Sequence, residues 1–266
     1  MNEQEVYPNA PVVLVALEVR HPVSESLTPG EVRSIKARLS ARAPISRNTQ
    51  MSSVQIIPGA ASPTTTNVEN FTRFLNREST LAISFRREAI VVETSVYQGW
   101  EEFRAIVSEA IDTRMAVAPV DGMERVGIRY IDEIRVPSND EGVQWDQWMS
   151  PSLLGPESDA SIDLPLSQWQ GVAVYGSQPG HTLILRYGPM TGFALDPSSE
   201  LKRKPADGGD FFLLDIDSFW TPAASIPEIE RDTLIATCNE LHAPVRRLFE
   251  GLIQDRLRDE VFRGHD

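Results

Sequence analysis

Residues 81–97, LAISFRREAIVVETSVY, carry the clearest strand pattern in the chain and decide its fold class. In the first half, apolar side chains alternate with smaller or polar ones, at Leu81, Ile83 and Phe85. In the second half, one face is β-branched or apolar, at Ile90, Val92, Thr94 and Val96. Because the alternation breaks at Arg87 and Glu88, the stretch predicts two antiparallel strands joined by a tight turn.

The neighbouring segments extend this pattern in both directions. Residues 71–77 predict a further antiparallel strand, and residues 12–20, VVLVALEVR, predict a strand buried on both faces. A capping box at Thr28 and Glu31 predicts a helix that ends before Pro44. The polar stretch 59–70 contains no apolar alternation and predicts a loop.

The chain after Gly99 alternates between helical and strand patterns. Apolar side chains at three-and-four spacing predict a helix over 100–115, and residues 123–136 predict a strand. Further strands are predicted over 169–175, 182–187 and 211–219. A second capping box at 225–228 predicts the start of a long amphipathic helix that reaches about Arg263 and is kinked or split at Pro244.

These elements predict an α+β fold. We expect a curved, mostly antiparallel sheet with amphipathic helices packed on one face and a long C-terminal helix. The sequence favours an N-terminal α+β half over 1–137 and a C-terminal α+β half over 138–266, which could also form one continuous domain.

Composition excludes several classes of protein. The 266 residues carry 25 basic and 38 acidic side chains, a net charge of −13, which argues against nucleic-acid and anionic-membrane binding. No apolar run is long enough to span a bilayer, and the first residues lack the pattern of a signal peptide. Cys238 is the only cysteine, so no intrachain disulfide forms. We therefore expect a cytoplasmic protein.

Few residues are candidates for catalysis or for binding a metal or ligand. Asp215 and Asp217 lie on one face of a predicted strand, where two carboxylates could hold Mg²⁺ or Mn²⁺ or pair with arginines of a neighbouring strand. Arg129 could line a pocket or pair with these same acids, and pairing is favoured. Among the tryptophans, Trp169 is the candidate for ligand contact beside Arg129.

The remaining candidates also favour structural roles. Cys238 and His242 are one helical turn apart, a spacing that suits a metal or a nucleophile–base pair, but the surrounding stripe is apolar and favours core packing. Nucleotide-binding and serine-hydrolase motifs are absent from the sequence. The sequence therefore predicts no cofactor and favours a protein that is not an enzyme.

Several segments scattered along the chain form a recognisable combination: 8–11 (PNAP), 93–103 (ETSVYQGWEEF), 125–132 (RVGIRYID), 214–217 (LDID), and the pairs Leu241-His242 and Phe249-Glu250. Together they resemble a sporadically distributed family of uncharacterised bacterial proteins. It implies accessory or mobile loci, such as defence or toxin–antitoxin islands. It brings no catalytic residue or cofactor with it.

Three hypotheses of function follow from these patterns. The first is a non-enzymatic binding or assembly protein with a protein partner or a homo-oligomer, in a bacterial accessory locus. The second is a small-ligand cup in which a curved sheet grips a long helix, with Arg129 and a tryptophan in the cavity. The third is a metal-dependent phosphotransferase or nuclease that uses Asp215 and Asp217.

Overall fold

A computed structural model describes residues 6–56, 64–138, 142–156, 168–203 and 208–264, without the side chains of 51–56 and 64–67. The strands are β1 (Val12–Arg20), β2 (Ile45–Ile56), β3 (Thr64–Leu75), β4 (Leu81–Phe85), β5 (Ala89–Thr94), β6 (Arg125–Ile134), β7 (Gly171–Gly176), β8 (Gly180–Gly192) and β9 (Gly209–Thr221). The α-helices are α1 (Pro29–Arg38), α2 (Trp100–Val117) and α3 (Arg231–Leu252). Shorter helical turns lie at Trp145–Gln147, Pro151–Leu153 and Leu257–Phe262.

The strands form one open sheet in the order β2-β3-β4-β5-β1-β6-β9-β8-β7. Every pairing between neighbours is antiparallel, which confirms the predicted α+β class. Strand β6 pairs with β9 from Val126 to Ile134, so strands from the two predicted halves 1–137 and 138–266 share this sheet.

Two boundaries of secondary structure in the first part of the chain lie where the sequence predicts them. The turn at Arg87 and Glu88 separates β4 from β5, and those strands pair from Leu81–Thr94 to Phe85–Ile90. The capping box is formed at the start of α1, where the Glu31 carboxylate accepts from the Thr28 amide at 2.7 Å. Local hydrogen-bonding residues thus set both boundaries.

Three predictions about elements are wrong. Residues 64–70 belong to β3 and not to a loop, because their backbone pairs with β2 and threonine suits an extended chain; residues 59–63 lie outside the described part. The helix predicted from 225–228 to about Arg263 begins only at Arg231, since the Pro227 carbonyl accepts from Met123 at 2.8 Å. It ends at Leu252, because Ile253 is extended and forms a β-bridge with Met149. Strand β1 is fully buried on one face only, with Val15 and Leu17 in the core and Glu18 half-buried.

The helices cover one face of the sheet and enclose the main core. Helix α2 packs on β5, and α3 packs on β6 and β9. Pro244 lies inside α3, as expected from the sequence. In the described part, none of the helices combines the length and apolar character needed to cross a membrane. The opposite face carries rows of arginines and carboxylates, with the segment 193–203 packed against part of it.

Candidate functional site

The predicted site residues Arg129, Asp215 and Asp217 meet on the face of the sheet that the helices leave open. The Arg129 guanidinium forms a two-pronged ion pair with Asp215, with Nε–Oδ1 at 2.6 Å and Nη2–Oδ2 at 2.7 Å. Arg186 reaches the same carboxylate at 3.4 Å, and Arg125 lies 3.2 Å from Asp217. The predicted pairing of Arg129 with this acidic strand is confirmed.

These contacts give Asp215 and Asp217 a structural role between strands. Cross-strand pairs of opposite charge stabilise a sheet, and two-pronged arginine–carboxylate bonds also fix register. Burial raises the pKa of Asp217, and the guanidinium of Arg125 opposes that rise. In the part of the chain that the structure describes, no three histidine, cysteine or acidic side chains group as metal ligands.

Trp169, the other predicted ligand contact, lies apart from Arg129. Its indole is half-buried against the core and donates from Nε1 to the Leu153 carbonyl at 3.1 Å. Neither Trp169 nor Arg129 lines the cavity between the sheet and α3 that we describe next.

A cavity of about 120 Å³ lies on the helix side of the sheet. Its walls come from the segment before β1, the β5–α2 turn, β6 and α3. The aromatic side chains among its lining residues are Tyr7, Tyr97, Trp100, Tyr130, His242 and Phe249. The charged residues that line it are Asp132, Arg246 and Glu250.

Asp132 lies on the sheet wall of this cavity. It follows Tyr130 by two residues on β6 and therefore shares its helix-facing side, between Val12 of β1 and Leu214 of β9. The side chain is buried, with 5% of its surface exposed. Burial, helped by the negative charge of Asp215, raises the pKa of the Asp132 carboxyl to about 8.

A chain of hydrogen bonds runs from Tyr97 through Tyr130 to His242. The two phenol oxygens are 3.3 Å apart, and the Tyr130 oxygen lies 2.9 Å from Nδ1 of His242. Burial lowers the pKa of His242 to about 4 and raises that of Tyr97 to about 12. The His242 imidazole and the Tyr97 phenol are both neutral at physiological pH, so these hydrogen-bonded groups add no charge to the cavity wall.

Trp100 fixes the orientation of His242 from the helix α2 side. The indole and imidazole rings stack with centroids 4.4 Å apart and planes 10° from parallel. The indole Nε1 donates to Asn239 on α3 at 2.9 Å. Gly99, with φ of 118°, makes the sharp turn that brings Trp100 to this position.

The outer wall of the cavity ties the N-terminal segment to α3. The Tyr7 hydroxyl donates to the Glu250 carboxylate at 3.0 Å, and Arg258 lies 3.1 Å from that carboxylate. Tyr7 also packs on Phe262, with ring centroids 5.3 Å apart. Glu250 is therefore paired by groups of the protein.

The structure gives Cys238 and His242, which the sequence analysis treated as a pair, different roles. Cys238 is fully buried in the core, and burial raises the pKa of its thiol to about 12, so core packing is confirmed there. His242 instead lines the cavity and bonds Tyr130. Sequence reasoning missed Asp132, although a carboxylate in phase with the apolar face of Val126 and Ile128 was the available signal.

Comparison with known proteins assigns no family: no protein-family model matches the chain, and no curated protein sequence matches it.

Proposed function

We propose that this protein binds a small ligand in the cavity between the sheet and α3. The observation that carries the proposal is the buried Asp132 carboxyl on the cavity wall, which costs folding free energy and forms no ion pair with a described residue. Natural proteins keep such locally unfavourable groups mainly at functional sites.

The character of the walls supports this proposal. Ligand sites are mostly apolar and aromatic, with a few polar groups that set orientation. The cavity offers aromatic rings from four parts of the chain and polar atoms from Asp132 and Tyr97. Of the hypotheses from sequence, the small-ligand cup fits this arrangement, with Asp132 and Trp100 in place of Arg129 and Trp169.

A fragment screen tests the proposal. We expect ligand-observed NMR with compounds of up to about six non-hydrogen atoms to give hits, because an apolar cavity of about 150 Å³ accepts benzene and this cavity is slightly smaller. Val245 lines the cavity, so Val245→Phe fills it and is expected to weaken those hits at least about tenfold.

The matched control lies on the same helix. Leu248 packs on the core without lining the cavity, so Leu248→Phe is expected to leave the hits unchanged. A screen without hits, or hits that bind Val245→Phe as well as the unmodified protein, would overturn the proposed function. Circular dichroism of both variants checks that the fold is retained.

A protein partner is a second candidate function, and the edge strand β7 favours it. Strand β7 ends the sheet, and among the described residues no strand pairs with its outer side. Val172 is 66% exposed and Val174 is 61% exposed. An exposed apolar edge accepts an added strand from another chain.

We expect this edge to join two copies of the chain. Analytical ultracentrifugation should show a dimer for the unmodified protein and a monomer for Val174→Lys, because an edge lysine opposes strand addition. Val23→Lys is the control, since Val23 is 59% exposed but lies between β1 and α1, outside the strands. A monomer at all concentrations for the unmodified protein would contradict the prediction.

A further inference from the structure

We propose that the ligand of the cavity is a small organic ammonium ion whose N–H groups donate to Asp132 while its carbon chain packs on the surrounding aromatic rings. This inference rests on the proposed small-ligand function and names its ligand class. Three features carry it: the absence of a partner for the Asp132 carboxyl among the described residues, the aromatic nature of the walls, and the charges around the carboxyl.

Asp132 differs from the other buried acidic side chains. Glu133 accepts from Arg135 and from the Ala194 amide, and Asp215 accepts from Arg129 and Arg186. Within the described ranges, no group donates a hydrogen bond to Asp132. Buried polar atoms are nearly always paired in native proteins, so a carboxyl that lines a cavity without a donor indicates a donor supplied from outside.

The walls suit a cation better than a neutral polar group. Ring faces of tyrosine, tryptophan and phenylalanine attract ammonium ions, more strongly where water is excluded. Rings of these three residue types line the cavity at Tyr7, Tyr97, Trp100, Tyr130 and Phe249. An alkyl chain on the ammonium would gain from burial against the same rings.

The charges around Asp132 disfavour an anion. A carboxylate or phosphate in the cavity would approach the Asp132 carboxyl in a region shielded from water. Arg246 is the one arginine or lysine among the described residues that line the cavity, and it is already engaged in another interaction. Glu250 is paired with Tyr7 and Arg258, which leaves Asp132 as the charged group to be neutralised.

Cavity volume sets the size of the ligand. The cavity holds about 120 Å³. An engineered apolar cavity of about 150 Å³ accepts benzene, which has six non-hydrogen atoms. The cavity therefore suits an ammonium ion of about five or six non-hydrogen atoms, the size of isopentylamine.

Three probes with one carbon skeleton test the ligand class. Isopentylamine, isopentyl alcohol and isovalerate present a cation, a neutral hydroxyl and an anion on the same chain. In calorimetric titrations at pH 8, we expect the amine to bind at least about tenfold more tightly than the other two, because charge-assisted hydrogen bonds are the strongest. In Asp132→Asn, we expect that advantage to fall below about twofold.

The dependence on pH provides a second readout. The ammonium ion requires ionised Asp132, whose pKa is about 8, so affinity should rise roughly tenfold from pH 6 to 7 and about fivefold from pH 7 to 8, where the carboxyl becomes half ionised. The neighbouring His242 and Tyr97, with pKa values of about 4 and about 12, do not titrate in that range. The other titratable groups that line the cavity with Asp132 are Tyr7, Tyr130, Arg246 and Glu250, and the Asp215 charge acts on Asp132 from the opposite face of the sheet.

The possible results distinguish a failure of the ammonium assignment from a failure of the proposed small-ligand function. Tightest binding by the alcohol or by isovalerate, or amine binding that is unchanged in Asp132→Asn, would overturn the ammonium assignment. So would the failure of all three probes in a protein whose fragment hits are lost in Val245→Phe. In each of these cases the cavity remains a ligand site, whereas a fragment screen without hits overturns the proposed function itself.

Discussion

Replacing Asp132 by asparagine is expected to raise the free energy of unfolding by about 3–5 kcal/mol at pH 8 and to change it little at pH 4. The side chain is buried, and burial raises its pKa to about 8. Asparagine has nearly the same shape but does not ionise, so the substitution removes the cost of burying a charge while leaving the cavity in place.

The sign of this effect follows from proton binding. An aspartate in the unfolded chain loses its proton near pH 4, whereas folded Asp132 keeps its proton up to about pH 8. Between these values the folded state binds more protons, so stability falls as the pH rises. Four pH units at about 1.4 kcal/mol each correspond to a loss on the order of 5 kcal/mol at pH 8.

Urea titrations at pH 4, 6 and 8 measure the difference. Asp112, which is exposed on α2, provides the control Asp112→Asn, for which we expect less than about 0.5 kcal/mol at each pH. An Asp132→Asn variant that is less stable than the unmodified protein at pH 8 would show that the carboxyl has a favourable partner. A saturating ammonium ligand should reduce the gap, because it pairs the charge that folding otherwise buries alone.

Replacing Trp100 by alanine is expected to lower the free energy of unfolding by about 3–5 kcal/mol, as for other buried large aromatic side chains. Trp100 is 6% exposed, stacks on His242 and bonds Asn239, so it connects α2 to α3 at the edge of the cavity. Its loss enlarges the cavity and leaves Asn239 without the indole donor.

Trp169→Ala is the matched comparison for this prediction. Trp169 is half-buried with one hydrogen bond to Leu153, so we expect a loss of about 1–2 kcal/mol. Chemical denaturation at pH 6 measures both variants. Similar losses for the two tryptophans, or a larger loss for Trp169→Ala, would contradict the role that we assign to Trp100.

Secondary structure was predictable where a short stretch of sequence sets it. The alternation in 81–97 gives β4 and β5, and apolar spacing gives α2 and most of α3. Prediction failed where residues distant in sequence determine the boundary of a strand or helix. Strand β3 includes polar residues from Thr64 because β2 pairs with them, and the start of α3 is displaced by a bond from Met123 to Pro227.

The candidate site was predictable only in part. The pairing of Arg129 with Asp215 could be expected because both lie on the open face of neighbouring strands. The cavity could not be expected, because its lining residues are separated by up to 244 positions, from Val6 to Glu250. Patterns along the chain carry no information about which of these segments meet.

The sequence by itself determined the α+β class, most strands and helices, and the limited choice of chemistry. These depend on the period of apolar residues and on local caps and turns, whose energies act over a few positions. Only the tertiary structure decided that, among the described residues, Asp215 has partners and the Asp132 carboxyl has none. That distinction depends on which donors the strand order brings near each carboxyl, and Asp132 faces a cavity between β6 and α3 where the described chain supplies none.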